Sequence, residues 1–229
     1  MNKIVLSILI FLVLLIFPKN IFAQTKSFIS IVNPIRGPDF WELKDQETDT
    51  VVKGQIEILE KNKLLATWLI RFDALDEKKI IEKLSDQPSD EKGLFLEVTP
   101  TWANQSGVDY HHSESWHMAK SSLLTGYQPS DREKLIDKAF DSFKKIFGFY
   151  PKSVGAWWID AHSLSYMQKK YNLTGALIVA DQYTTDNYQI WGQYFSTPYY
   201  PSENNALHPA QTLENKLPKL IGYNEIRGD

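Results

Sequence analysis

Short apolar segments alternate with amphipathic segments along most of this 229-residue chain, and this alternation restricts the fold more than any other feature. The strand-like segments are residues 28–32, 65–70, 94–98, 153–159 and 175–180, with a weaker sixth at 217–221. The helix-like segments are residues 51–60, 76–84, 130–147 and 161–171. Apolar strands separated by helices predict an α/β fold, in which a parallel sheet is covered by helices and is either open or closed into a barrel.

The first 23 residues have the layout of a secretory signal peptide. Lys3 precedes an apolar run over residues 4–17, and Ala23 is a small residue suited to cleavage before Gln24. A run of about 14 residues is shorter than the roughly 20 that a membrane-spanning helix needs. We therefore expect a secreted or cell-envelope protein that is cleaved near Ala23, with an uncleaved N-terminal membrane anchor as the alternative. Residues 24–229 are then predicted to form one domain, which the lack of a closing helix before Asp229 suggests is truncated.

Composition excludes several classes of protein. There are 25 basic and 28 acidic residues, a net charge of −3, whereas binding to nucleic acid by phosphate neutralisation requires the opposite balance. The chain has no cysteine, which excludes disulfides, thiol catalysis and cysteine metal sites. There is neither a glycine-rich phosphate loop nor a Gly-x-Ser-x-Gly motif. Contact with a membrane is expected only through an uncleaved N-terminal segment.

Acidic residues follow several predicted strands, where parallel α/β folds place their active sites. The candidate catalytic residues are Asp73, Glu97, Asp160 and Asp181, and Arg36 is a candidate substrate contact. Several acids at one edge bind a cation, share protons or hold sugar hydroxyls. The alternative is that each is a helix cap or a solvated loop residue, and Asp160 and Asp76 both have cap positions.

Three histidines, His111, His112 and His117, lie within seven residues. Together with carboxylates they suit zinc or a similar divalent metal. Their spacings of five and six residues do not place them on one helix face, so a loop would have to bring them together. Three interpretations remain open: a metal site, a metal-free catalytic or substrate contact, and a loop without a chemical role.

Aromatic residues are the third feature, since the chain has seven tryptophans. Trp102, Trp116 and Trp191 fall in predicted loops on the same edge as the acids, and Trp157 lies in the fourth predicted strand. Exposed rings beside carboxylates are suited to stacking on sugars, which makes these four candidate substrate-binding residues. Such rings can equally pack a long loop against the core.

Three segments resemble the polysaccharide deacetylase (NodB-homology) group of the glycoside hydrolase/deacetylase (β/α)-barrel superfamily. They are Leu65-Ala-Thr-Trp-Leu-Ile, Gly93-Leu-Phe-Leu-Glu-Val-Thr and Phe147-Gly-Phe-Tyr-Pro-Lys-Ser-Val-Gly. The motifs that carry the family's chemistry differ here. Val32-Asn33-Pro34 stands where the first strand normally ends in Asp-Asp, and the His-x-x-x-His pair and the fourth-strand arginine are replaced.

The resemblance implies a distorted or incomplete (β/α) barrel in an exported, carbohydrate-active protein, a hydrolase that acts on a cell-envelope or extracellular polysaccharide. A deacetylase would use a metal-bound water, held by the histidine loop and an acid. A glycosidase would use two carboxylates and no metal, and their separation would decide between inversion and retention. A non-catalytic carbohydrate-binding protein with a degenerate barrel site is the further alternative.

Overall fold

The computed structural model describes residues 29–39, 48–114, 118–181, 198–217 and 221–226. The chain divides into two compact units, Met1–Ser30 and Ile31–Asp229, and every helix and strand described below belongs to the second. The predicted signal peptide therefore lies outside the described residues. None of the helices in the described ranges has the length and hydrophobicity that crossing a membrane requires.

The second unit is built on a six-stranded sheet in which the strands follow sequence order and every neighbouring pair is parallel. The strands are β1 (Val32–Ile35), β2 (Thr67–Arg71), β3 (Glu91–Phe95), β4 (Ser153–Gly155), β5 (Gly175–Asp181) and β6 (Ile221–Ile226). Among the described strands, β1 and β6 each have one neighbour, so the sheet is not closed. This confirms the predicted α/β class and the incomplete barrel with parallel strands.

Helices connect the strands, as the alternation of segments predicts. They are α1 (Thr48–Asn62), α2 (Lys78–Ser85), α3 (Pro100–Gln105), α4 (Ala119–Ser122), α5 (Pro129–Phe147) and α6 (Ala161–Tyr171), with short 3₁₀ turns at Phe72–Asp76 and Leu124–Gly126. The apolar stripe of α5 packs on the sheet through Leu135, Ile136, Ala139, Phe140 and Phe143, which are all buried. The bounds of α6 match the segment predicted from the sequence.

Several predicted boundaries are wrong. The first strand was expected at residues 28–32 but occupies Val32–Ile35, and the third was expected at 94–98 but begins at Glu91 and ends at Phe95. Leu217, expected in the sixth strand, lies before that strand and is fully buried. Apolar residues mark burial, and Leu96, Val98 and Leu217 show that buried backbone can continue beyond the strand ladder.

Of the three predicted helix caps, one is confirmed and two are wrong. Asp160 is the N-cap of α6, where its Oδ1 accepts a hydrogen bond of 2.9 Å from the Ser163 amide, as expected. The capping box at residues 130–133 is wrong, because α5 starts at Pro129 after Gln128, and the Gln128 side chain makes no cap bond. Asp76 is not the N-cap of α2 either, since Glu77 has that position.

The two faces of the sheet have different surroundings because side chains alternate along each strand. In β2, Trp68 and Ile70 belong to the main core beneath the helices. Leu69 points to the other face, where it forms a small cluster with Phe95, Leu123 and Trp157. This inner cluster lies directly below the charged residues described next.

Candidate functional site

The carboxyl edge of the sheet holds a buried cluster of charged residues on its inner face. Alternation along β2 and β3 places Arg71 on the same face as Leu69, and Glu97 on the same face as Phe95. Arg71 is 1% exposed and Glu97 is 0% exposed. Charges buried to this extent persist only when they are paired and hydrogen-bonded, so the partners of both residues define the site.

Arg71 is the centre of the cluster. Its Nε and Nη2 donate to the two carboxylate oxygens of Asp73, each at 2.7 Å, and its Nη1 donates to Glu97 Oε1. Nη2 also donates to the carbonyl oxygens of Gly37 and Asp39, at 3.0 and 2.9 Å. Burial lowers the pKa of Arg71, but the hydrogen bonds and negative charges of Asp73 and Glu97 outweigh this and raise it above its ordinary value. The guanidinium is permanently charged.

Glu97 receives three further hydrogen bonds. Arg36 donates through Nε to Oε1 at 3.1 Å and through Nη2 to Oε2 at 2.7 Å, and Trp157 Nε1 donates to Oε2 at 2.7 Å. Burial raises the pKa of Glu97, but the charges of Arg36 and Arg71 and the bonds from Arg36 and Trp157 lower it below its ordinary value. Because a general acid needs a raised pKa, this carboxylate is unsuited to donating a proton.

The loop after β1 closes over the cluster. A Cβ on Gly37 would lie 2.5 Å from the Ala74 amide nitrogen and 2.6 Å from the Asp73 carbonyl carbon, so only glycine allows this approach. The Asp39 amide donates to Asp73 Oδ2 at 2.8 Å. The Asp39 carboxylate in turn accepts from the amide and the hydroxyl of Thr101, at 3.1 and 2.8 Å. These bonds join the ends of β1 and β2 to the start of α3.

Arg36 is the most accessible of the charged groups bonded to Glu97, with 24% of its side chain exposed. Its guanidinium carbon lies 5.2 Å from the centre of the Trp157 ring and 5.9 Å from that of Phe95. The structure thus brings together two residues that the sequence analysis treated as separate substrate contacts, Arg36 and Trp157.

Trp102 has a different position from the one expected. It lies in α3, so the predicted loop position is wrong, and it is fully buried, which matches the alternative that such a ring packs against the core. Its ring stacks on Phe72 with centroids 6.0 Å apart, and its Nε1 donates to the Leu135 carbonyl oxygen at 2.9 Å. Thr99 caps the short helix through a bond to the Trp102 amide, which turns the ring inward.

The histidine loop lies beside the charged cluster. The Val98 amide, one residue after Glu97, donates to the Ser122 carbonyl oxygen at 2.8 Å, and the neighbouring Ser121 hydroxyl donates to the His111 carbonyl oxygen. Burial, followed by the charges of Glu97 and Asp39, raises the pKa of Tyr110. His112 contacts Tyr110 edge-on at 5.1 Å, and His111 stacks on Tyr127 at 4.4 Å. Both histidines are exposed.

The remaining candidates lie elsewhere or outside the described residues. Asp160 contacts Ser163 as a helix cap and pairs with Arg132 at 3.0 Å, rather than joining the Arg71 cluster. Asp181 ends β5, and its side chain is outside the described part of the structure, as are Trp116, His117 and Trp191. Their predicted roles therefore stay predictions.

The described residues do not fit a divalent metal at this edge. The carboxylates of Asp73 and Glu97 are already bonded to guanidinium groups, whose charge would repel a cation, and His111 Nδ1 lies 3.2 Å from the Lys120 carbonyl oxygen. Within the described ranges, no group of three or more His, Cys, Asp or Glu side chains is arranged to hold a metal ion.

Two residues of the cluster, Arg71 and Asp39, were not recognised as site residues from the sequence. Arg71 carried a readable signal, since a charged residue two positions from Leu69 in an apolar strand must share its buried face and so requires a buried partner. Asp39 had no comparable signal, because its role depends on contacts across 62 positions with Thr101.

The fold is shared with solved structures described as a glycoside hydrolase/deacetylase and a polysaccharide deacetylase. A proposed glycoside hydrolase/deacetylase from Parabacteroides distasonis matches with a TM-score of 0.59 and 16% identity, over 86% of this chain and 44% of that one. A proposed polysaccharide deacetylase from Mycobacterium smegmatis matches with a TM-score of 0.51 and 10% identity, over 85% of this chain and 57% of that one. The chain thus spans about half the length of these two proteins, and their folds confirm the NodB-like resemblance.

The particular family is one without an assigned activity. Residues 98–220 match the family described as a domain of unknown function with solved structure, DUF3863, and the chain belongs to this family. The match begins one residue after Glu97 and contains the histidine loop. No curated protein matches the sequence.

Proposed function

We propose that this chain is an exported, carbohydrate-active protein of the deacetylase fold that binds a polysaccharide at the carboxyl edge of its sheet. The observation that carries the proposal is the state of its two central acids. Asp73 and Glu97 are both held by the buried Arg71, and the pKa of Glu97 is lowered rather than raised. The charges of the two carboxylates and of Arg71 are held in fixed positions. Such an arrangement is suited to recognising a ligand more than to transferring a proton.

The groups around the cluster suit a sugar. The partly exposed Arg36 guanidinium, whose carbon lies 5.2 Å from the centre of the buried Trp157 ring, offers a flat, polar contact at the surface. The half-buried carboxylate of Asp39 can accept hydrogen bonds from hydroxyl groups, and the exposed ring of His112 contacts Tyr110 edge-on. A few fixed polar groups beside aromatic rings are the usual composition of a small-ligand site.

Deacetylation is the second candidate, and the position of the histidine loop favours it. His111 and His112 lie in the loop beside the cluster, where His111 stacks on Tyr127 and His112 contacts Tyr110. The described donors do not by themselves hold a metal, so this activity would depend on residues such as His117 or Asp181, whose side chains are outside the described structure. A metal-free glycosidase that uses Asp73 and Glu97 is disfavoured, because neither pairing with arginine nor a lowered pKa suits an acid catalyst.

Titration calorimetry with a panel of acetylated, deacetylated and uronic-acid oligosaccharides tests the proposal. We expect saturable binding that Arg36→Ala weakens about tenfold or more, roughly 1.4 kcal/mol. Arg132→Ala is the matched control, since Arg132 is also a partly exposed arginine that pairs with a carboxylate, Asp160. Equal affinity in wild type and Arg36→Ala, or no binding to any member of the panel, contradicts the proposal.

Acetate release measured on the same panel separates the two candidates. Release that depends on an added divalent metal and is lost in His111→Ala would establish deacetylation. Binding without release, in the presence and absence of zinc, would leave recognition as the function.

A further inference from the structure

The amino edge of the sheet, opposite the charged cluster, carries exposed apolar side chains. Leu64 and Leu65 lie just before β2, Phe149 lies before β4, and Ile221 is the first residue of β6. Because the strands are parallel, these positions share one edge. Leu65 is 64% exposed, Phe149 50%, Ile221 48% and Leu64 40%. Large apolar residues exposed together mark a contact surface more often than scattered ones do.

A groove deepens this surface beside β2. It has a volume of about 350 Å³ and is lined by apolar residues of α1 and the loop after α2, among them Ile56, Leu59 and Pro88. Two acids, Glu60 and Asp90, lie in its wall. Glu60 accepts a bond from Gln87 Nε2 at 3.0 Å, and Asp90 accepts from the Ala66 amide at 3.2 Å and Trp68 Nε1 at 2.7 Å. Five of the ten residues that line the groove are apolar.

The end of α5 adds aromatic and basic groups at the same edge. Phe149 packs on Phe143 and Phe147 with ring centroids 5.8 and 6.2 Å apart, and Lys144 lies 4.4 Å from the Tyr150 ring centre. Lys145 and Lys152 are exposed nearby. Within the described residues, none of these three lysines forms an ion pair.

Apolar, aromatic and lysine side chains on one surface are the combination that binds the interface of an anionic membrane. The point where the chain enters the sheet indicates the same occupant. Strand β1 begins at Val32, so the chain enters this strand from the amino edge of the sheet. The connection from residue 18 to residue 31 spans at most about 50 Å when fully extended.

We propose that the amino edge of the sheet contacts an anionic lipid surface in the form of the protein that keeps its N-terminal segment as a membrane anchor. This form is the alternative outcome expected from the sequence, in which the segment is kept as an anchor and is not cleaved near Ala23. The carboxyl edge then faces away from the membrane, toward any extracellular glycan. The proposal goes beyond the proposed function and does not depend on sugar binding.

Site-specific fluorescence in the full-length chain tests this proposal, and the lack of native cysteine allows clean labelling. A fluorophore is attached to Leu65→Cys, to Phe149→Cys and to the control Asn104→Cys, an exposed position in α3 at the carboxyl edge. Each protein is reconstituted in vesicles of phosphatidylcholine and phosphatidylglycerol that contain a brominated lipid as quencher. We expect quenching at Leu65 and Phe149 but not at Asn104.

Charge reversal adds a second measurement. Lys145→Glu and Lys152→Glu should each lower the lipid-contacting population about fivefold in phosphatidylglycerol vesicles, as the loss of roughly 1 kcal/mol per lysine implies. In vesicles of phosphatidylcholine alone the same changes should have little effect. Circular dichroism confirms that each labelled or charge-reversed variant is folded.

Three results would overturn the proposal. Equal quenching at all three positions would mean adsorption without orientation. No quenching at Leu65 and Phe149 in protein that floats with the vesicles would mean that the anchor holds the chain while this edge stays in water. Energy transfer between copies labelled at Leu65 in the absence of lipid would assign the surface to a second copy of the chain.

Discussion

Two carboxylate-centred networks in this molecule have similar chemistry but opposite surroundings. Glu97 accepts bonds from Arg36, Arg71 and Trp157, and its side chain is 0% exposed. Asp137, on α5, accepts bonds from the hydroxyls of Tyr166 and Tyr171 at 2.8 and 2.6 Å and from Lys170 Nζ at 2.7 Å. The Asp137 side chain is 34% exposed.

The comparison predicts that burial, more than the number of partners, sets the cost in folding stability of disrupting a network. The pKa of Asp137 is lowered despite its partial burial, chiefly by bonds from Lys170, Tyr171 and Tyr166, just as arginines and Trp157 lower that of Glu97. Water can replace the lost partners of Asp137, whereas it cannot reach the Glu97 carboxylate, which is 0% exposed. The same kind of substitution should therefore have unequal consequences at the two sites.

The largest effect is expected for Glu97→Gln. It leaves the charge of the fully buried Arg71 balanced by Asp73 alone and removes the charged partner of the partly exposed Arg36. Removing one member of a buried charged pair costs about 3–5 kcal/mol. Urea denaturation measures the free energy of unfolding. The control is Glu57→Gln, whose ion pair with Lys53 is exposed on α1. A loss below about 1 kcal/mol would show that the two networks are equivalent after all.

Acid should act through the same carboxylate. Since the pKa of Glu97 in the folded protein lies below its ordinary value of 4.5, its ionised form stabilises the fold fully above that value. The contribution is lost as the pH falls through the lowered pKa. Unfolding measured between neutral and acidic pH should therefore show a steeper loss of stability in wild type than in Glu97→Gln. Parallel pH profiles would remove Glu97 as the acid-sensitive group.

A smaller effect is expected for Gly37→Ala, which tests the loop over the cluster. The new Cβ would meet the Asp73–Ala74 backbone at 2.5–2.6 Å, so the loop must shift at a cost of about 1–3 kcal/mol. Gly54→Ala is the matched control, because Gly54 lies in α1 with nothing within 4 Å of the added Cβ. That change should instead stabilise the protein by about 0.5–1 kcal/mol. Equal melting temperatures for the two variants would mean that the loop adapts freely.

The smallest effect is expected for Asp137→Asn. The amide keeps the shape of the carboxylate, and an exposed ion pair contributes about 0–1 kcal/mol. Urea denaturation beside Glu97→Gln makes the comparison direct, with Lys134→Ala as a control at another surface pair of α5. A loss as large as that of Glu97→Gln would mean that partner number outweighs burial.

The architecture could be predicted from the sequence because its signals are local. The order of strands and helices follows from hydrophobic alternation, and α6 with its Asp160 cap was identified at its true bounds. The strand boundaries near the carboxyl edge could not be predicted from the sequence, because Leu96 and Val98 are buried but lie outside the described strands. Apolarity alone does not distinguish strand pairing from burial.

Several residues of the candidate site could be predicted from the sequence, but the ion pairs between them could not. Asp73, Glu97, Arg36 and Trp157 were named, yet nothing local indicates that Arg71 would neutralise both acids. The inward turn of Trp102 depends on a cap bond from Thr99 and a contact with Leu135, which lies 33 positions away. Such long-range contacts decide whether an aromatic residue offers a surface or fills a core.

Strand β1 has a consequence for how copies of this protein behave together. The carbonyl of Ile31 accepts from the Thr67 amide of β2, so alternate residues, Val32 and Pro34, direct their backbone groups away from the sheet. Proline has no amide hydrogen, and β1 has only four residues. A strand arriving at this edge would find a single amide donor in β1, that of Val32. The β1 edge is thereby a poor template for pairing with a strand of another copy.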